Sequence, residues 1–330
     1  MKTKIVYVIT SSDKDILLEQ LMLSLHSLKY YNPTASVYLV VDQDTKASIK
    51  GCRCAIKEYV TDIIAIDTPK EYNNMLRSRW LKTSLREHIT GDFLFIDSDT
   101  IITDSLEECD NWIWDIAAVI DRHIPVNQEH QYYEYICNRA KDTGWIFTKA
   151  DASYFNSGVM YVKDNETTRS FYRTWHEYWQ EGLKRSVFQD QPTLGKANKK
   201  FGYIIKELNG IWNCQIMANG INFLSDAKIV HYFNAERQIE HKSVFYLPSN
   251  RQIYVKIKED KFRLEESIKK MIENGRSAFA NNYAIFADEQ LKAIRDPFCQ
   301  FVMKGFFTRN KFYVLLKMMF AIYSRMKYKK

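Results

Sequence analysis

Residues 91–104, GDFLFIDSDTIITD, place two carboxylates, Asp97 and Asp99, one residue apart at the end of a run too apolar to lie in solvent. Side chains alternate along a strand, so the two acids face the same way if the strand runs that far, with Ser98 pointing elsewhere. Converging carboxylates with no cation beside them in sequence repel, and one pKa rises. A divalent ion removes that cost. Mg2+ and Mn2+ favour oxygen ligands and leave coordination positions that phosphate oxygens can take. The other reading is an Asp pair capping the turn after a buried strand, since Asp is a frequent turn residue.

Upstream, short β-rich runs alternate with helical patterns: KIVYVIT, a helix over DILLEQLMLSLHSLKYY, SVYLVV, another helix, TDIIAID, a helix from about Glu71 to Glu87, then DFLFID. This alternation predicts an α/β fold, a mostly parallel sheet flanked by helices. Ligands in such sheets bind at the carboxyl ends of the strands. There the first strand delivers Thr10, Ser11, Ser12 and Asp13, and the fourth delivers Asp97 to Asp99.

The chain has 330 residues, 46% hydrophobic and 14% aromatic, with 11 Gly and 6 Pro, enough for a large core and too little linker for disorder. The apolar start ends in Ser11-Ser12-Asp13 and reads as a first strand, not a signal peptide. No run reaches the roughly 20 apolar residues of a spanning helix, so a cytoplasmic protein is expected. The six cysteines show no disulfide spacing, and the Cys52/Cys54 pair lacks the second pair of a zinc site. The net charge of +7 is local: residues 303–330 hold eight Lys or Arg and no acid, leaving the rest nearly neutral. Nucleic acid is therefore not an expected partner.

Two metal-using readings fit the Asp-x-Asp pattern. A haloacid-dehalogenase-like phosphatase or phosphotransferase would want Thr or Val where Ile101 stands, and a downstream acidic pair that is not found. A nucleotide-sugar glycosyltransferase of the GT-A fold uses its Asp-x-Asp to hold the metal that grips a diphosphate. Five further segments, in order, decide between them: SRWLKTSL (78–85), YFNSGVMYV (154–162), FQDQPTL (188–194), IWNCQ (211–215) and IVHYF (229–233). Together they resemble glycosyltransferase family 8 over roughly residues 4–235.

The resemblance implies a GT-A (Rossmann-like) catalytic domain over 1–245, nucleotide and metal in about 1–110 and the sugar and acceptor side in about 111–245. A helical C-terminal extension, 246–330, follows. It implies that Asp97 and Asp99 coordinate Mn2+ or Mg2+ with His231, that Thr10, Ser12, Asp13, Ser98, Arg79 and Lys82 line the donor site, and that Asp13 accepts the uracil N–H of a UDP-sugar. Asn156 and Ser157 lie against the donor sugar, Asp190 and Gln191 beside its anomeric carbon, and Asp121 is a weaker candidate on the acceptor side. Transfer of a hexose with retention follows by the same resemblance; a glycan or lipid-linked acceptor, as in surface polysaccharide or lipopolysaccharide assembly, is expected from a sugar transferase combined with the basic tail of residues 303–330. A non-catalytic nucleotide-sugar-binding module is the alternative, against which the intact Asp99, Asn156, Asp190 and His231 speak.

The sequence departs from the family after His231, where HYFNAERQIEHK replaces the expected lysine-bearing cluster; Arg237 and Lys242 are the candidates to stand in from the same loop, against the more ordinary reading of each as a solvated charge. The segment 122–153 is an aromatic-rich insertion, suited to stacking on a sugar or to packing. At the end of the chain Phe312, Leu315, Leu316, Met319, Ile322, Tyr323 and Met326 recur at helical spacing, with Lys317, Ser324 and Tyr328 opposite. A basic amphipathic helix favours an anionic membrane surface, although such a stripe also suits a helix docked on the protein. The expected location is peripheral, on the cytoplasmic membrane face.

Overall fold

A computed structural model describes residues 1–216, 218–232, 251–280, 296–308 and 311–327. The strands are β1 (Lys4–Ile9), β2 (Val37–Asp42), β3 (Asp62–Ile66), β4 (Phe93–Ile96), β5 (Thr100–Ile102), β6 (Ile116–Ile120), β7 (Phe155–Val162), β8 (Ile205–Glu207), β9 (Cys214–Gln215) and β10 (Ile229–His231). Between them run α1 (Leu17–Tyr31), α2 (Gln43–Ser48), α3 (Asn74–Thr83), α4 (Leu85–His88), α5 (Tyr133–Asp142), α6 (Glu166–Leu183) and α7 (Gln191–Lys200). Among the described residues the main sheet has seven strands in the order β3-β2-β1-β4-β7-β6-β8. The first four are mutually parallel, β7 runs antiparallel to β4 and to β6, and β8 is parallel to β6. A smaller sheet, β5-β10-β9, lies after the Asp97–Asp99 turn.

The apolar runs are continuous because both faces of the sheet are covered. Ile5, Tyr7, Leu39, Leu94 and Ile96 enter one core, while Val6, Val8, Val40, Phe93 and Phe95 enter the other. The four parallel strands fall within a residue or so of the expected runs. Two local expectations are corrected. The single helix expected from about Glu71 to Glu87 is two, broken at Ser84, where the Thr83 and Ser84 hydroxyls donate to the Arg79 and Trp80 carbonyls at 2.9 Å; such back-bonding bends helices. The strand carrying the two acids stops at Ile96, so Asp97 and Asp99 sit in a turn between two sheets.

Helices α8 (Arg251–Glu259), α9 (Glu266–Glu273) and α10 (Gly275–Ala280) belong to the same compact unit as the sheet. Ile253, Tyr254, Ile257, Ile268 and Ile272 share the core of α1. The expected division at 245/246 lies outside the described residues, as do Arg237 and Lys242. The second unit contributes two described helices, Pro297–Thr308 and Lys311–Lys327. The second of these is the helix expected from the sequence. Phe312, Leu315, Met319, Ile322 and Tyr323 are exposed along it, but so are Val314, Met318 and Phe320, so the apolar surface is wider than one stripe. Among the described residues no helix is long and apolar enough to cross a membrane.

Trp175, on α6, ties this framework to the region of interest: it is wholly buried and its indole N–H donates to the Asp190 carbonyl at 3.1 Å. Trp175→Ala is expected to cost about 3–5 kcal/mol in denaturant unfolding, the range for truncating a buried aromatic, and Trp175→Phe clearly less. Equal, small losses for both would show that this indole does not anchor the α6/α7 packing.

Candidate active site

The turn after β4 and the last residue of β10 bring Asp97, Asp99 and His231 together, one ligand atom from each lying within 4.8 Å of the others. Metal–ligand bonds of about 2.1 Å set ligand atoms about 3 Å apart when adjacent and about 4 Å when opposite in an octahedron; the 4.8 Å bound on the trio is slightly wider, which makes the three side chains a candidate site for one divalent ion. His231 Nε2 stands 3.2 Å from Asp99 Oδ1. Ser98 lies between the acids, half-buried.

The cation missing from the local sequence comes from α3. Lys82, only 3% exposed, sets Nζ 3.3 Å from Asp97 Oδ1 and 3.5 Å from Asp190 Oδ2, over the Phe95 ring. Arg79, one turn earlier on the same face, approaches Asp190 Oδ1 at 3.3 Å, and the Ser157 hydroxyl donates to Asp190 Oδ2 at 2.8 Å. Burial works to raise the Asp190 carboxyl, yet Arg79, Lys82 and Ser157 hold it well below the usual carboxylate range. Burial, reinforced by the Asp99 charge, moves Asp97 up against the pull of Lys82. Asp99 goes down because His231 overcomes its burial, and His231 goes up because Asp99 and Asp97 overcome the opposite effect of burial on the imidazole. Three carboxylates thus face two cations, a balance that a divalent ion would turn positive.

Asn156, on β7, donates from Nδ2 to Asp121 Oδ1 at 2.9 Å and accepts at Oδ1 from Asn213. Gly158, two residues on, passes so close that a Cβ there would lie 2.5 Å from His231 Cε1 and 2.8 Å from Asp97 Oδ2. Gln191 turns its amide to the Phe155 carbonyl at 3.1 Å and so fastens α7 to β7.

The first-strand residues form their own loop. Thr10 donates its hydroxyl to the Asn74 carbonyl at 2.7 Å, Ser12 bonds to Asp15, and Asp13 is exposed. Asp15 also accepts from Ser11 and from the Leu17 N–H, so Asp15 organises this loop. Arg53 donates to the Ser12 carbonyl, and Lys258, from α8, to the carbonyls of Asp13 and Asp15. Sequence reasoning missed Asp15, Arg53, Lys258 and the role of Asn213. An Asp just before a helix is a readable loop signal; the other three act across long sequence separations.

Gly158→Ala is expected to weaken Mn2+ binding at least tenfold, because the new methyl group strikes both an imidazole and a carboxylate of the trio; thermal melting with and without Mn2+ reads it as a lost metal-induced shift. A shift equal to that of the wild type would place the ion elsewhere.

Residues 90–237 match the family model described as glycosyl transferase family 8. Among solved structures, the galactosyltransferase LgtC in complex with donor and acceptor sugar analogs is similar at a TM-score of 0.51 and 15% identity, over 81% of this chain and 99% of that one. An active-site mutant of LgtC gives 0.52 and 15%, over 80% and 98%. No curated protein matches the sequence. Residues 90–237 thus form a glycosyl transferase family 8 domain, in a chain that shares the GT-A fold of LgtC.

Proposed function

We propose that the protein transfers a hexose from a UDP-sugar to a glycan or lipid-linked saccharide with retention at the anomeric carbon, using Mn2+ or Mg2+ held by Asp97, Asp99 and His231. The observation that carries this reading is the convergence of those three ligand atoms beside the buried Lys82–Asp190–Arg79 cluster. When bound, the ion neutralises charge on the nucleoside diphosphate as it leaves. The chain's own groups do the rest. Asp13 accepts the N–H of the uracil ring at the end of β1. Arg79, half-exposed beside Asp190, faces the donor phosphates or sugar. Asn156 and Ser157 lie against the sugar hydroxyls.

Asp190 is assigned the reacting carbon. Both of its oxygens are engaged, one by Arg79 and the other by Lys82 and Ser157. Fixed and ionised, it suits electrostatic stabilisation of an oxocarbenium-like state, where a preorganised charge counts most. Gln191 supports it by fastening α7 to β7, and Asp121, held by Asn156, faces the acceptor side. The match of residues 90–237 to the glycosyl transferase family 8 model favours this reading over the Asp-x-Asp phosphatase. Asp190→Asn is expected to bind UDP with Mn2+ like the wild type in isothermal titration while transfer and slow donor hydrolysis fall at least a hundredfold. Unchanged UDP release would move the chemistry away from Asp190.

The terminal segment is read as a membrane-surface anchor that presents the enzyme to lipid-linked acceptors at the cytoplasmic face. Its exposed Phe312, Leu315, Met319 and Phe320 are accompanied by the eight cationic residues of 303–330, each worth about 1 kcal/mol near an anionic leaflet. Deleting 303–330 is expected to abolish co-sedimentation with anionic vesicles at low salt while hydrolysis of soluble donor survives. Full-length protein that ignores such vesicles at low salt would overturn this anchor.

A further inference from the structure

The amides around His231 have a fixed direction. The backbone N–H of Gly158 donates to Asn156 at 2.9 Å, so the accepting atom is Oδ1 and the orientation of that side chain is settled by the main chain. Its Nδ2 consequently points at Asp121, which as a carboxylate accepts, at 2.9 Å. Asn156 Oδ1 also takes Asn213 Nδ2 at 2.9 Å, and this turns Asn213 Oδ1 toward His231 Nδ1 at 3.0 Å. An oxygen there requires a proton on Nδ1. The other nitrogen, Nε2, is the one directed at Asp99.

Asn213 is 0% exposed and closes the 3₁₀ turn Gly210–Asn213 just before β9. β9 pairs in parallel with β10, Cys214 beside Val230 and Gln215 beside His231, so the backbone holds Asn213 next to the imidazole. We propose that Asn213 is a positioning residue with two tasks: its oxygen fixes the rotation and tautomer of His231 so that Nε2 serves the metal, and its nitrogen holds Asn156 against the donor sugar. One side chain then sets the metal ligand and the sugar contact together. The inference rests on the metal reading of Asp97, Asp99 and His231. Such outer partners of a ligating histidine raise its basicity and fix its ring.

The test uses the full-length protein with Mn2+ as the metal probe, its free aqua-ion signal followed by electron paramagnetic resonance, isothermal titration of UDP and of a UDP-hexose in the presence of Mn2+, and thermal melts of each variant. Asn213→Leu keeps the volume and removes both hydrogen bonds; its Mn2+ affinity should fall about 10–100-fold. Asn213→Asp keeps an oxygen for His231 and loses the donor to Asn156. It should retain Mn2+ affinity within about threefold, the ligand-orienting bond being intact, while losing the preference for the intact UDP-sugar over UDP. Because Asp is nearly isosteric, this variant reports even where the Leu variant does not fold. Wild-type Mn2+ affinity in Asn213→Leu, or a loss in Asn213→Asp as large as in Asn213→Leu, would overturn the inference. Failure of the wild-type protein to bind Mn2+ would overturn the metal assignment itself, and this inference with it.

Discussion

A buried ammonium group sets the terms for the site. Lys82 carries its charge to a position 3% exposed, where an unpaired cation would be costly, and Asp97 and Asp190 satisfy it from two sides. That arrangement constrains three separate elements at once: α3, which must present Arg79 and Lys82 on one face; the turn after β4, which must deliver Asp97; and the start of α7, where Asp190 is held through its backbone by Trp175. Displacing any one leaves a buried charge short of a partner. The site is therefore preorganised by the same electrostatics that hold its parts together.

The reversal of direction between β4 and β7 does the complementary work. In an all-parallel sheet the segment Phe155–Gly158 would point its amino end away from the carboxyl end of β4. Antiparallel pairing, Ile96 opposite Val159, instead brings Asn156, Ser157 and Gly158 beside the acidic turn, where the Asp97 N–H bonds to the Gly158 carbonyl at 2.7 Å. The missing side chain of Gly158 makes room for His231, and Asn156 reaches Asp121 on one side and Asn213 on the other. Both sides of the candidate site hang on four consecutive residues of one strand.

Much of this was readable in the chain because the signals are local. Buried strands have to be apolar, and the acids that follow one have to be turn residues, ligands or both; that reasoning locates β1 to β4 and Asp97 and Asp99. The geometry it assigned to those acids was different, since strand alternation was expected where a turn does the work. The cation facing Asp97 is fifteen residues upstream, on a helix, and no spacing rule links the two. Asn213 is hidden for the same reason: an asparagine in a short turn has many uses, and only the pairing of β9 with β10 puts it next to a histidine. Lys258 ties α8 to the β1–α1 loop across 245 positions of sequence, a contact that periodicity cannot reveal.

The central claim is that Asp97, Asp99 and His231 are ligands of one divalent ion that carries the donor diphosphate. Anomalous scattering at the manganese edge, from crystals grown with Mn2+ and UDP, tests it most directly. One strong peak is expected at bonding distance, about 2.2 Å, from both carboxylates and from His231 Nε2, with diphosphate oxygens completing the shell. A peak elsewhere, or UDP bound with Nε2 still paired to Asp99 and no ion between them, would contradict it.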